Sequence, residues 1–588
     1  MHKKTACYFI SKKTIVEKLI KKRPLLTSAY LSDNMLLNRI YQSRGITSTK
    51  ELEHILQNLY RPQQLANIEQ AIELLINVFD KQSRIIIVGD FDADGATSTS
   101  LAIIALKQLG FEKVDYLIPD RFSQGYGLSI AVAEMALLKG VDLVLTVDNG
   151  VSSLEGVELL KQHGIKVLIT DHHLPPETLP NADAIINPNL PFCTFPSKSL
   201  AGVGVIFYVM MALRAKMRER NYFANKAEPN FAELLDLVAL GTVADVVPLD
   251  RNNRILVYQG LQRIRSGHCR AGIKALAEVG KRELSTLQAV DLGFSIAPRL
   301  NAAGRLENMS LGVELLICEN METARQLAFE LDSLNQTRKE FEQEMKTEAL
   351  AICAKLPSLT QSGQAHGIVL YQPDWHQGVI GILASRIKDQ FNRPVIVFAQ
   401  ESEDSEYLKG SARSISGVHM RDLLEHIDMQ YPELIEKFGG HAMAAGLTIH
   451  QSKLELFKQL LDQTINEIVE PEQLQGVIYT DGELSIQEFN LANAELIRNS
   501  GPWGQNFPEP CFEGEFTLLQ QKLVAGKHLK LMLQSDSGQL LDAIWFNIDL
   551  RYFPDLSAKK ARMVYKLDIN EFRGNKALQL KVEYLNYL

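Results

Sequence analysis

The most regular pattern of apolar and polar positions lies between residues 84 and 170, where short apolar runs alternate with longer stretches of helical periodicity. Nearly continuous apolar strands separated by helices are typical of a parallel sheet that is covered on both faces. The predicted strands are Ile85–Val88, Val114–Ile118, Leu143–Val147 and Val167–Thr170, and the predicted helices are Ala96–Leu109, Leu128–Leu138 and Leu154–His163. The pattern therefore predicts an α/β domain, with its ligands beyond the carboxyl ends of the strands.

The pattern changes three times further along the chain. Residues 322–350 show helical periodicity with sparse apolar positions, which is typical of a connector helix. Residues 367–455 predict a second α/β unit, and after about residue 470 apolar and polar residues alternate, as in the strands of a small β-barrel. We therefore expect an N-terminal segment with the first α/β domain at 1–320, a connector helix at 321–350, a second α/β domain at 351–465 and a barrel at 466–588.

Composition excludes some classes of protein. The 588 residues are 46% hydrophobic and 22% charged, and no apolar run approaches the roughly 18 residues of a membrane helix. The six cysteines form no Cys-x-x-Cys pair, and the N-terminus lacks the apolar core of a secretory signal, so we expect reduced thiols in the cytoplasm. The net charge of −8 does not by itself indicate a nucleic-acid-binding protein, and the basic residues 1–23 have no assigned role.

Acidic residues follow three of the predicted strands. Asp90, Asp92 and Asp94 come directly after the first strand, and Asp148 follows the third. The triplet Asp171–His173 follows the fourth. An isolated Asp-His-His could merely cap a strand, but acids at neighbouring strand ends would repel one another strongly unless cations neutralised them. The sequence therefore predicts one divalent-metal site.

The ligand types indicate which metal is bound. A further acid, Asp245, follows an apolar helix predicted at Leu234–Gly241. Aspartate oxygens with one or two imidazoles suit Mn²⁺ or Mg²⁺ better than zinc. Four or more carboxylates are too many for one ion with open positions, so we expect two ions that share a carboxylate, as in phosphoryl hydrolases. A calcium loop over Asp90–Asp94 is disfavoured because Ala96–Ser100 supply no further ligands.

Four ordered motifs resemble those of the DHH phosphoesterase superfamily. They are Gly89–Gly95 (GDFDADG), Val147–Gly150 (VDNG), Asp171–His173 (DHH) and Gly241–Pro248 (GTVADVVP). Two further stretches, Ala297–Leu306 and Gly439–Gly446, are similar to those of the bacterial single-strand-specific exonucleases within this superfamily. The resemblance covers nearly the whole chain and implies a DHH domain, a DHH-associated (DHHA1) domain and a C-terminal oligonucleotide-binding (OB) barrel.

The resemblance also implies roles for individual residues. The implied metal ligands are Asp92, Asp94, Asp148, His172 and Asp245, with Asp148 as the bridge between two ions of Mn²⁺ or Mg²⁺. Asp90 would either ligate a metal or orient a ligand. His173 would polarise the phosphate or contact a ligand from behind, and Asp171 would support the two imidazoles. We therefore expect Asp148, Asp171 and His173 to carry catalysis.

Basic and polar side chains would bind the substrate. Arg121, on a loop after a strand, and Ser411 and Arg413, in a glycine-flanked loop, resemble the family's pocket for a 5′-terminal phosphate. The predicted nucleic-acid-binding residues are Arg299, Asn301, Arg305, His376, Gly440, His441, Lys527, Lys530 and Arg573. Alternatives remain open for two of them, because His376 would equally fit a packed turn and Asn301 the start of a helix. Trp545 or Phe546 would offer a platform on which a base could stack, but core packing is the favoured interpretation of Trp545, because it lies mid-strand between Ile544 and Phe546.

The implied activity is hydrolysis of single-stranded DNA from its 5′ end, with release of 5′-mononucleotides, in recombination and repair. The implied partners are single-stranded DNA, a single-stranded-DNA-binding protein and a helicase, with a monomeric chain and no membrane. Two alternatives are a phosphodiesterase that acts on short oligoribonucleotides or cyclic dinucleotides, and a non-catalytic replication scaffold. The barrel disfavours the first alternative, and the complete set of ligands disfavours the second.

Overall fold

A computed structural model describes residues 18–356, 367–402, 404–550, 553–572 and 574–588. The chain divides into two compact units. The first unit comprises Leu25–Gln336 and Glu495–Pro510, and the second comprises the described residues up to Pro24, within Thr337–Ala494 and within Cys511–Leu588. Arg573, which the sequence nominates for nucleic-acid binding, lies outside the described residues.

The strands of the described residues belong to two five-stranded sheets, a closed barrel and one two-stranded pair. In chain order they are β1 (Leu19–Lys22), β2 (Ile85–Val88), β3 (Val114–Leu117), β4 (Leu143–Val147), β5 (Lys166–Thr170), β6 (Ala184–Ile186), β7 (Ile368–Tyr371), β8 (Val395–Gln400), β9 (Tyr407–Arg413), β10 (Lys437–Gly440), β11 (Ala444–His450), β12 (Val477–Thr480), β13 (Phe512–Val524), β14 (His528–Gln534), β15 (Leu540–Trp545), β16 (Lys560–Phe572) and β17 (Asn575–Tyr587).

The helices alternate with the strands in both α/β regions. In chain order they are α1 (Met35–Ser43), α2 (Ile68–Asp80), α3 (Ala93–Leu109), α4 (Ile130–Leu138), α5 (Leu154–Gln162), α6 (Gly202–Glu219), α7 (Leu235–Ala244), α8 (Arg251–Arg265), α9 (Ala271–Val279), α10 (Ala289–Asp291), α11 (Ala297–Leu306), α12 (Ser310–Ile317), α13 (Met321–Cys353), α14 (Ile380–Phe391), α15 (Met420–Gln430), α16 (Leu454–Ile468) and α17 (Leu491–Asn499). A π-helical turn, Leu292–Ile296, joins α10 to α11. In the described part of the chain, no helix combines the length and the apolar character that crossing a membrane requires.

The first unit is built on a parallel sheet with the strand order β3-β2-β4-β5-β6. Ile85 of β2 pairs with Val114 of β3 on one side and with Leu143 of β4 on the other. The strand order therefore reverses between β2 and β4, and their carboxyl ends flank a topological switch point, where such sheets bind ligands. The predicted parallel sheet is confirmed. The short strand β6 was not predicted, because three residues are too few for a clear pattern.

Helices pack on this sheet and explain why its strands are apolar throughout. Every residue of β2 and β4 is buried. Helix α6 is apolar on nearly all sides and packs against α3 and α7, as expected of a helix inside the core. The packed core therefore fixes the first residues of α3 and α6, both of which contribute to the site described below.

The second unit contains the sheet β10-β11-β9-β8-β7 and the closed barrel β13-β14-β15-β17-β16, and β1 pairs in parallel with β12. The predicted second α/β domain and barrel are confirmed. The expectation that Ser411 and Arg413 lie in a loop is wrong, because both are residues of strand β9. Trp545, at the end of β15, is half-buried and packs edge-on against Phe553, with 4.6 Å between ring centroids.

Candidate metal centre and active site

The carboxyl ends of β2, β4 and β5 bring the nominated ligands into one cluster. Three overlapping groups have ligand atoms within 4.8 Å of one another. They are Asp90 with Asp92 and Asp148, Asp94 with His172 and Asp245, and Asp148 with His172 and His173. Asp148 and His172 each belong to two of the groups, and of the two only Asp148 offers a carboxylate whose two oxygens two cations could share.

Backbone N–H groups hold the two acids at the start of α3. Asp92 caps this helix, because its Oδ1 accepts hydrogen bonds from the N–H groups of Asp94 (2.9 Å) and Gly95 (3.0 Å). The carboxylate of Asp94 accepts from the N–H groups of Gly202 (2.6 Å) and Val203 (3.1 Å), the first residues of α6. The amino end of a helix carries partial positive charge, so α6 stabilises the ionised form of Asp94 without a cationic side chain.

Two glycines make room for these carboxylates. A Cβ atom at Gly202 would lie 2.6 Å from Oδ1 of Asp148, and one at Gly241 would lie 2.6 Å from Oδ1 of Asp94. Any larger residue at either position would displace a nominated ligand. The glycines therefore belong to the site although they have no ligand atom.

Asp148 lies in a tight turn directly after β4. Its backbone is left-handed (φ 63°), a conformation that Asp and Asn tolerate better than most residues, and its N–H donates to the carbonyl of Thr170 at 3.0 Å. The side chain of the next residue, Asn149, donates to the carbonyls of Val88 (3.1 Å) and Val147 (2.9 Å). This amide ties the ends of β2 and β4 together and fixes the turn from which Asp148 projects.

The imidazole of His172 faces two carboxylates. Its Nε2 lies 3.1 Å from Oδ1 of Asp148 and 3.5 Å from Oδ2 of Asp245. Oδ1 of Asp148 is buried and accepts no hydrogen bond from the described residues. Buried polar atoms are normally partnered, and a divalent cation between these side chains would supply the partner. The donor set, carboxylate oxygens with one imidazole, fits Mn²⁺ or Mg²⁺.

Burial and mutual repulsion raise the pKa values of the clustered acids. Burial first, and then the charge of Asp92, raise the pKa of Asp90 to about 8 and that of Asp94 to about 7. Burial first, and Asp94 next, raise the pKa values of Asp148 and Asp245 well above the ordinary range. Cations that bind the cluster would therefore displace protons from it at neutral pH.

Asp171 and His173 form a charged pair beside the cluster. Oδ1 of Asp171 accepts from Nδ1 of His173 (2.7 Å) and from the N–H groups of His172 and His173, and Oδ2 accepts from the N–H of Val151 (2.9 Å). Burial alone would raise the pKa of Asp171, but the hydrogen bond and charge of His173 lower it. Burial would likewise lower the pKa of His173, but Asp171 raises it to about 9. His173 is therefore a cation at neutral pH.

Sequence reasoning missed two asparagines that hold the histidines. The side-chain amide of Asn187 donates to the carbonyl of His173 (2.8 Å), and that of Asn189 donates to the carbonyl of His172 (2.6 Å). Both follow the short strand β6. The signal that could have revealed them is the sequence Asn187-Pro-Asn189 directly after an apolar run, at the same edge of the sheet as the acids.

Aromatic side chains connect Arg121 to His173. The guanidinium of Arg121 lies 4.1 Å from the ring centroid of Phe91, and burial lowers its pKa while Asp90 opposes the shift. Phe91 packs edge-on against Tyr126, and Tyr126 packs edge-on against His173, with 5.9 Å between centroids in each pair. Arg121 therefore lies on the same rim as the cluster. Tyr126 is a further residue of the site that sequence reasoning did not single out.

The three nominated residues of α11 have different surroundings. Oδ1 of Asn301 accepts a hydrogen bond from the N–H of Ala93 (2.8 Å), so it supports the loop that carries the clustered acids. The buried Arg299 pairs with Asp332 at 2.8 Å. Arg305, in the last turn of the helix, is half-buried. Arg299 and Asn301 therefore have internal partners in the first unit.

Ser411 and Arg413 lie on one face of β9 in the second unit. Arg413 donates to Oγ of Ser411 at 3.1 Å. A Cβ atom at Gly381, the second residue of α14, would lie 3.0 Å from both Oγ of Ser411 and Nη2 of Arg413, so the amino end of α14 faces them. Burial lowers the pKa of Arg413, and no carboxylate among the described residues pairs with it. A partly buried cation beside a helix amino end is suited to an anion.

His376 fits the packed-turn alternative. Its ring stacks on Phe341 with 5.6 Å between centroids, and its Nδ1 accepts from the N–H of Gly378 at 3.0 Å. Burial lowers its pKa, so the imidazole is neutral at physiological pH. These contacts hold the turn before α14.

The remaining nominated residues lie at turns and on the barrel of the second unit. Gly440 ends β10 with φ 143°, and the N–H of His441 donates to the carbonyl of Ala444 at 2.8 Å. Lys527 is exposed in the turn between β13 and β14, and Lys530 on β14 lies 3.4 Å from Asp542.

Three domain families match the chain. The DHH family, N-terminal domain, matches residues 84–242, the DHHA1 domain matches residues 364–467, and the RecJ OB domain matches residues 480–584. Together with the metal cluster at the switch point, these matches define a member of the DHH class.

Similarity to individual proteins narrows this class. The chain is 61% identical over 573 residues to the single-stranded-DNA-specific exonuclease RecJ of Haemophilus influenzae, over 97% of this chain and 99% of that protein. It is 56% identical over 551 residues to the protein of the same name in Escherichia coli, over 93% of this chain and 95% of that protein. The chain belongs to the RecJ family, and the resemblance inferred from its motifs is confirmed.

Solved structures agree with this assignment. The structure of RecJ from Thermus thermophilus in complex with Mn²⁺ matches with a TM-score of 0.79 and 27% identity, over 97% of this chain and 79% of that chain. The structure of the same protein in complex with Mg²⁺ matches with a TM-score of 0.72 and 26% identity, over 97% of this chain and 78% of that chain. An exonuclease RecJ bound to manganese matches with a TM-score of 0.57 and 32% identity, over 70% of this chain and 98% of that chain.

Proposed function

We propose that the chain is a divalent-metal-dependent exonuclease that degrades single-stranded DNA from the 5′ end and releases 5′-mononucleotides in recombination and repair. The observation that carries the proposal is the cluster of Asp90, Asp92, Asp94, Asp148, His172 and Asp245 at the switch point. Similarity to proteins named single-stranded-DNA-specific exonuclease supports the substrate, and relatives solved with Mn²⁺ and Mg²⁺ support the cofactor.

The clustered side chains would hold two ions, with Asp148 shared between them. When bound, the ions supply Lewis-acid chemistry, which activates water and offsets the charge that develops on the phosphoryl oxygens. The protein's own part is to keep the carboxylates in fixed positions. It does so with the N–H groups that bind Asp92 and Asp94 and with the strand-end turn that carries Asp148.

The cationic His173 would donate a charge-assisted hydrogen bond to the scissile phosphate. Such a donor stabilises a phosphoryl group more strongly as negative charge accumulates on its oxygens. Asp171 would act through His173, because it keeps the imidazole protonated and fixes its orientation. We therefore assign catalysis to Asp148 and His173, with Asp171 as the residue that positions His173.

A second anion-binding feature would hold the 5′-terminal phosphate. Ser411, Arg413 and the amino end of α14 form it, and Arg121 would contact a phosphate near the metal cluster. Binding of the terminal phosphate would explain release of mononucleotides from one end. The rest of the strand would contact the remaining residues predicted to bind nucleic acid, which are Arg305, Gly440, His441, Lys527, Lys530 and Arg573. Arg299, Asn301 and His376 would act indirectly, through their internal contacts.

End-labelled strands test the polarity and the product. With Mn²⁺ present, a long single strand labelled at the 5′ terminus should release labelled mononucleotide at once, whereas a 3′ label should appear in mononucleotide only late. Asp148→Ala should abolish release of both labels. Arg413→Ala should slow a 5′-phosphorylated strand more than a 5′-hydroxyl strand.

Other outcomes would favour the rival functions. Activity confined to dinucleotides or short oligoribonucleotides would favour the small-substrate phosphodiesterase. Binding of the strand without cleavage would favour the scaffold. Early release of the 3′ label would contradict the proposed polarity.

Further parts of the proposal concern organisation and partners. We propose that residues 1–320 carry the metal centre, 321–350 connect the domains, 351–465 bind the terminal phosphate and 466–588 hold the trailing strand, apart from Glu495–Pro510, which belong to the first unit. We also propose a cytoplasmic monomer that receives its substrate from a helicase and a single-stranded-DNA-binding protein. Sedimentation of the purified chain and pull-down with those two classes of protein would test this part.

A further inference from the structure

A short segment that precedes the barrel in sequence packs within the first unit. This segment, Ser500–Pro508, is called the 500–508 segment below. The ring of Trp503 stacks on Phe507 with 5.1 Å between centroids and an angle of 14°, and it also stacks on Tyr41 at 6.3 Å. The indole N–H of Trp503 donates to the carbonyl of Ile497 at 2.9 Å. The segment is therefore folded back on itself around an aromatic pair.

Two arginines of the first unit hold this aromatic pair. Arg44 donates to the carbonyl of Pro508 at 2.8 Å and lies 5.8 Å from the ring centroid of Trp503. Arg254, from α8, lies 4.4 Å from the ring centroid of Phe507. The same Arg254 donates to the carbonyl of Leu249 at 3.0 Å. The segment thus shares a partner with the chain that immediately follows Asp245.

The 500–508 segment also contacts Leu249 directly. The carbonyl of Gln505 accepts a hydrogen bond from the N–H of Leu249 at 2.8 Å. Gly504 lies so close that a Cβ atom there would be 2.7 Å from Cδ1 of Leu249. Leu249 is buried. One backbone bond and one close apolar contact therefore join the segment to Leu249.

The turn between Asp245 and Leu249 needs such support. Val246 has φ 61°, a left-handed conformation that is strongly disfavoured for a β-branched residue. The residue is 63% exposed, so burial in the core does not hold this conformation. A strained residue persists only where the surrounding structure determines it. The support must therefore come from the two ends of the turn.

Both ends of the turn are fixed by hydrogen bonds. At the start, the N–H groups of Asp245 and Val246 donate to carbonyls in the last turn of α7. At the end, the side-chain amide of Asn253 donates to the carbonyl of Pro248 at 2.9 Å, and the 500–508 segment holds Leu249. Loss of either anchor at the end would remove support from the left-handed conformation of Val246, the residue that directly follows Asp245.

We propose that the 500–508 segment positions the metal ligand Asp245, because its contact with Leu249 keeps Val246 in the left-handed conformation. The inference rests on the proposed function, since it takes Asp245 as a ligand of a divalent cation. Residues between the second α/β domain and the barrel are thus part of the support of the metal centre, and metal binding by the first unit depends on them.

Gly504→Val tests the inference, because its side chain would push the segment away from Leu249. Titration of the metal-free full-length protein with Mn²⁺ in a calorimeter should give a dissociation constant at least about tenfold weaker than that of the wild type, the range expected when the support of a metal ligand is lost. Gln505→Ala is the matched control, since it removes an exposed side chain but keeps the carbonyl that binds Leu249. It should leave the dissociation constant unchanged.

A double-mutant cycle separates positioning from a general loss of structure. Val246→Asn places at the turn a residue that accepts the left-handed conformation, so Asp245 should depend less on the segment. In the Val246→Asn background, Gly504→Val should weaken Mn²⁺ binding by no more than about threefold. An equal loss in both backgrounds, or no loss in the wild-type background, would overturn the inference.

Two further measurements keep the outcomes distinct. If circular dichroism shows that Gly504→Val does not fold, Phe507→Leu replaces it, because it keeps apolar volume but removes the aromatic face under Arg254. The same weakening and the same cycle are expected of it. If wild type and Asp245→Asn bind Mn²⁺ equally, the assignment of Asp245 as a ligand fails. If Asp245→Asn loses binding while the segment variants retain it, only the present inference fails.

Discussion

Replacement of Asp148 by Asn should make the metal-free protein more stable while removing its nuclease activity. Asn has the shape of Asp and accepts the left-handed backbone at this position, so the substitution adds no strain. What it removes is a buried carboxyl that the metal-free fold can keep only by repelling its neighbours or by retaining a proton that the unfolded chain would release. Without cations the clustered charges only repel one another, so their number should limit stability.

The size of the effect follows from the separations in the cluster. The ligand atoms of Asp90, Asp92 and Asp148 lie within 4.8 Å of one another. Two full charges at this distance repel by roughly 3.5 kcal/mol at an effective dielectric constant of about 20. Protons retained by the clustered acids relieve part of this repulsion. We therefore expect a gain of about 1–3 kcal/mol in the free energy of unfolding at pH 8, which for a unit of the size of the first corresponds to an unfolding temperature higher by about 1.5–4.5 °C.

The dependence on pH has a definite sign. The folded protein keeps a proton on Asp90 up to about pH 8 and on Asp94 up to about pH 7, whereas the unfolded chain releases both near pH 4. Between these values the unfolded chain binds fewer protons than the folded protein. The free energy of unfolding in EDTA should therefore fall as the pH rises from about 4 to 8. Asn at position 148 lowers the neighbouring pKa values, so this fall should become shallower.

Thermal unfolding in EDTA at pH 5, 6, 7 and 8 measures both effects, and a parallel series with Mn²⁺ measures metal binding. Mn²⁺ should raise the unfolding temperature of the wild type and have little effect on Asp148→Asn. Glu158→Gln, an exposed change on α5, is the control and should alter the free energy of unfolding by less than about 0.5 kcal/mol. A metal-free Asp148→Asn protein that is less stable than the wild type at pH 8, or an unchanged dependence on pH, would contradict this prediction.

Three further outcomes are expected. Asn189→Asp replaces the amide that donates to the carbonyl of His172 by a carboxylate of the same shape. It should weaken Mn²⁺ binding, measured by calorimetry, by about 10- to 100-fold. An unchanged affinity would show that Asn189 does not support the ligand His172. Arg299→Ala leaves Asp332 unpaired and should lower the free energy of unfolding by about 2–3 kcal/mol. Binding of single-stranded DNA at matched salt should be unchanged. Unchanged stability with weaker DNA binding would favour the DNA contact predicted from the sequence. Burial lowers the pKa of His54 to about 4. Between pH 6.5 and 4, therefore, only the unfolded chain takes up a proton on this imidazole. The free energy of unfolding should fall by at most about 3 kcal/mol as the pH decreases through this range. His54→Gln should remove that part of the fall in denaturant titrations, and an identical slope would contradict the assignment.

The sheet and the cluster could be predicted because their signals are local. Each nominated acid stands directly after an apolar run, and the carboxyl ends of parallel strands meet at one edge. Nothing beyond the strand pattern was needed to bring Asp92, Asp148 and His172 together. The same reasoning explains the failure at β9, where glycines beside Ser411 and Arg413 were taken to indicate a loop. Glycine in a strand instead allows a close neighbour, and Gly410 has the ring of Phe398 packed on it.

The supporting contacts could not be predicted because they join residues that are distant in sequence. The bond from α6 to Asp94 depends on where Gly202 falls in three dimensions. The role of Arg299 depends on Asp332, which lies on a different helix. An arginine in a family motif is read from sequence as a contact to nucleic acid, and only its burial and its partner reveal an internal ion pair. The same limit applies to the 500–508 segment, whose aromatic residues give no sign of the turn that they support.

The groups that hold the clustered acids have one property in common: almost all of them are uncharged. Asp90 accepts from the N–H of Phe91 at 2.7 Å, Asp92 and Asp94 accept from helix N–H groups, and asparagine amides hold the neighbouring backbone. Among the described residues, no lysine or arginine forms an ion pair with the clustered acids. A cationic partner would stabilise the metal-free fold, but it would also occupy the oxygens and cancel the charge that attracts the cations. Neutral donors fix the carboxylates and leave their repulsion in place. That repulsion destabilises the metal-free protein and favours cation binding, which is why one substitution, Asp148→Asn, should raise stability and abolish metal binding together.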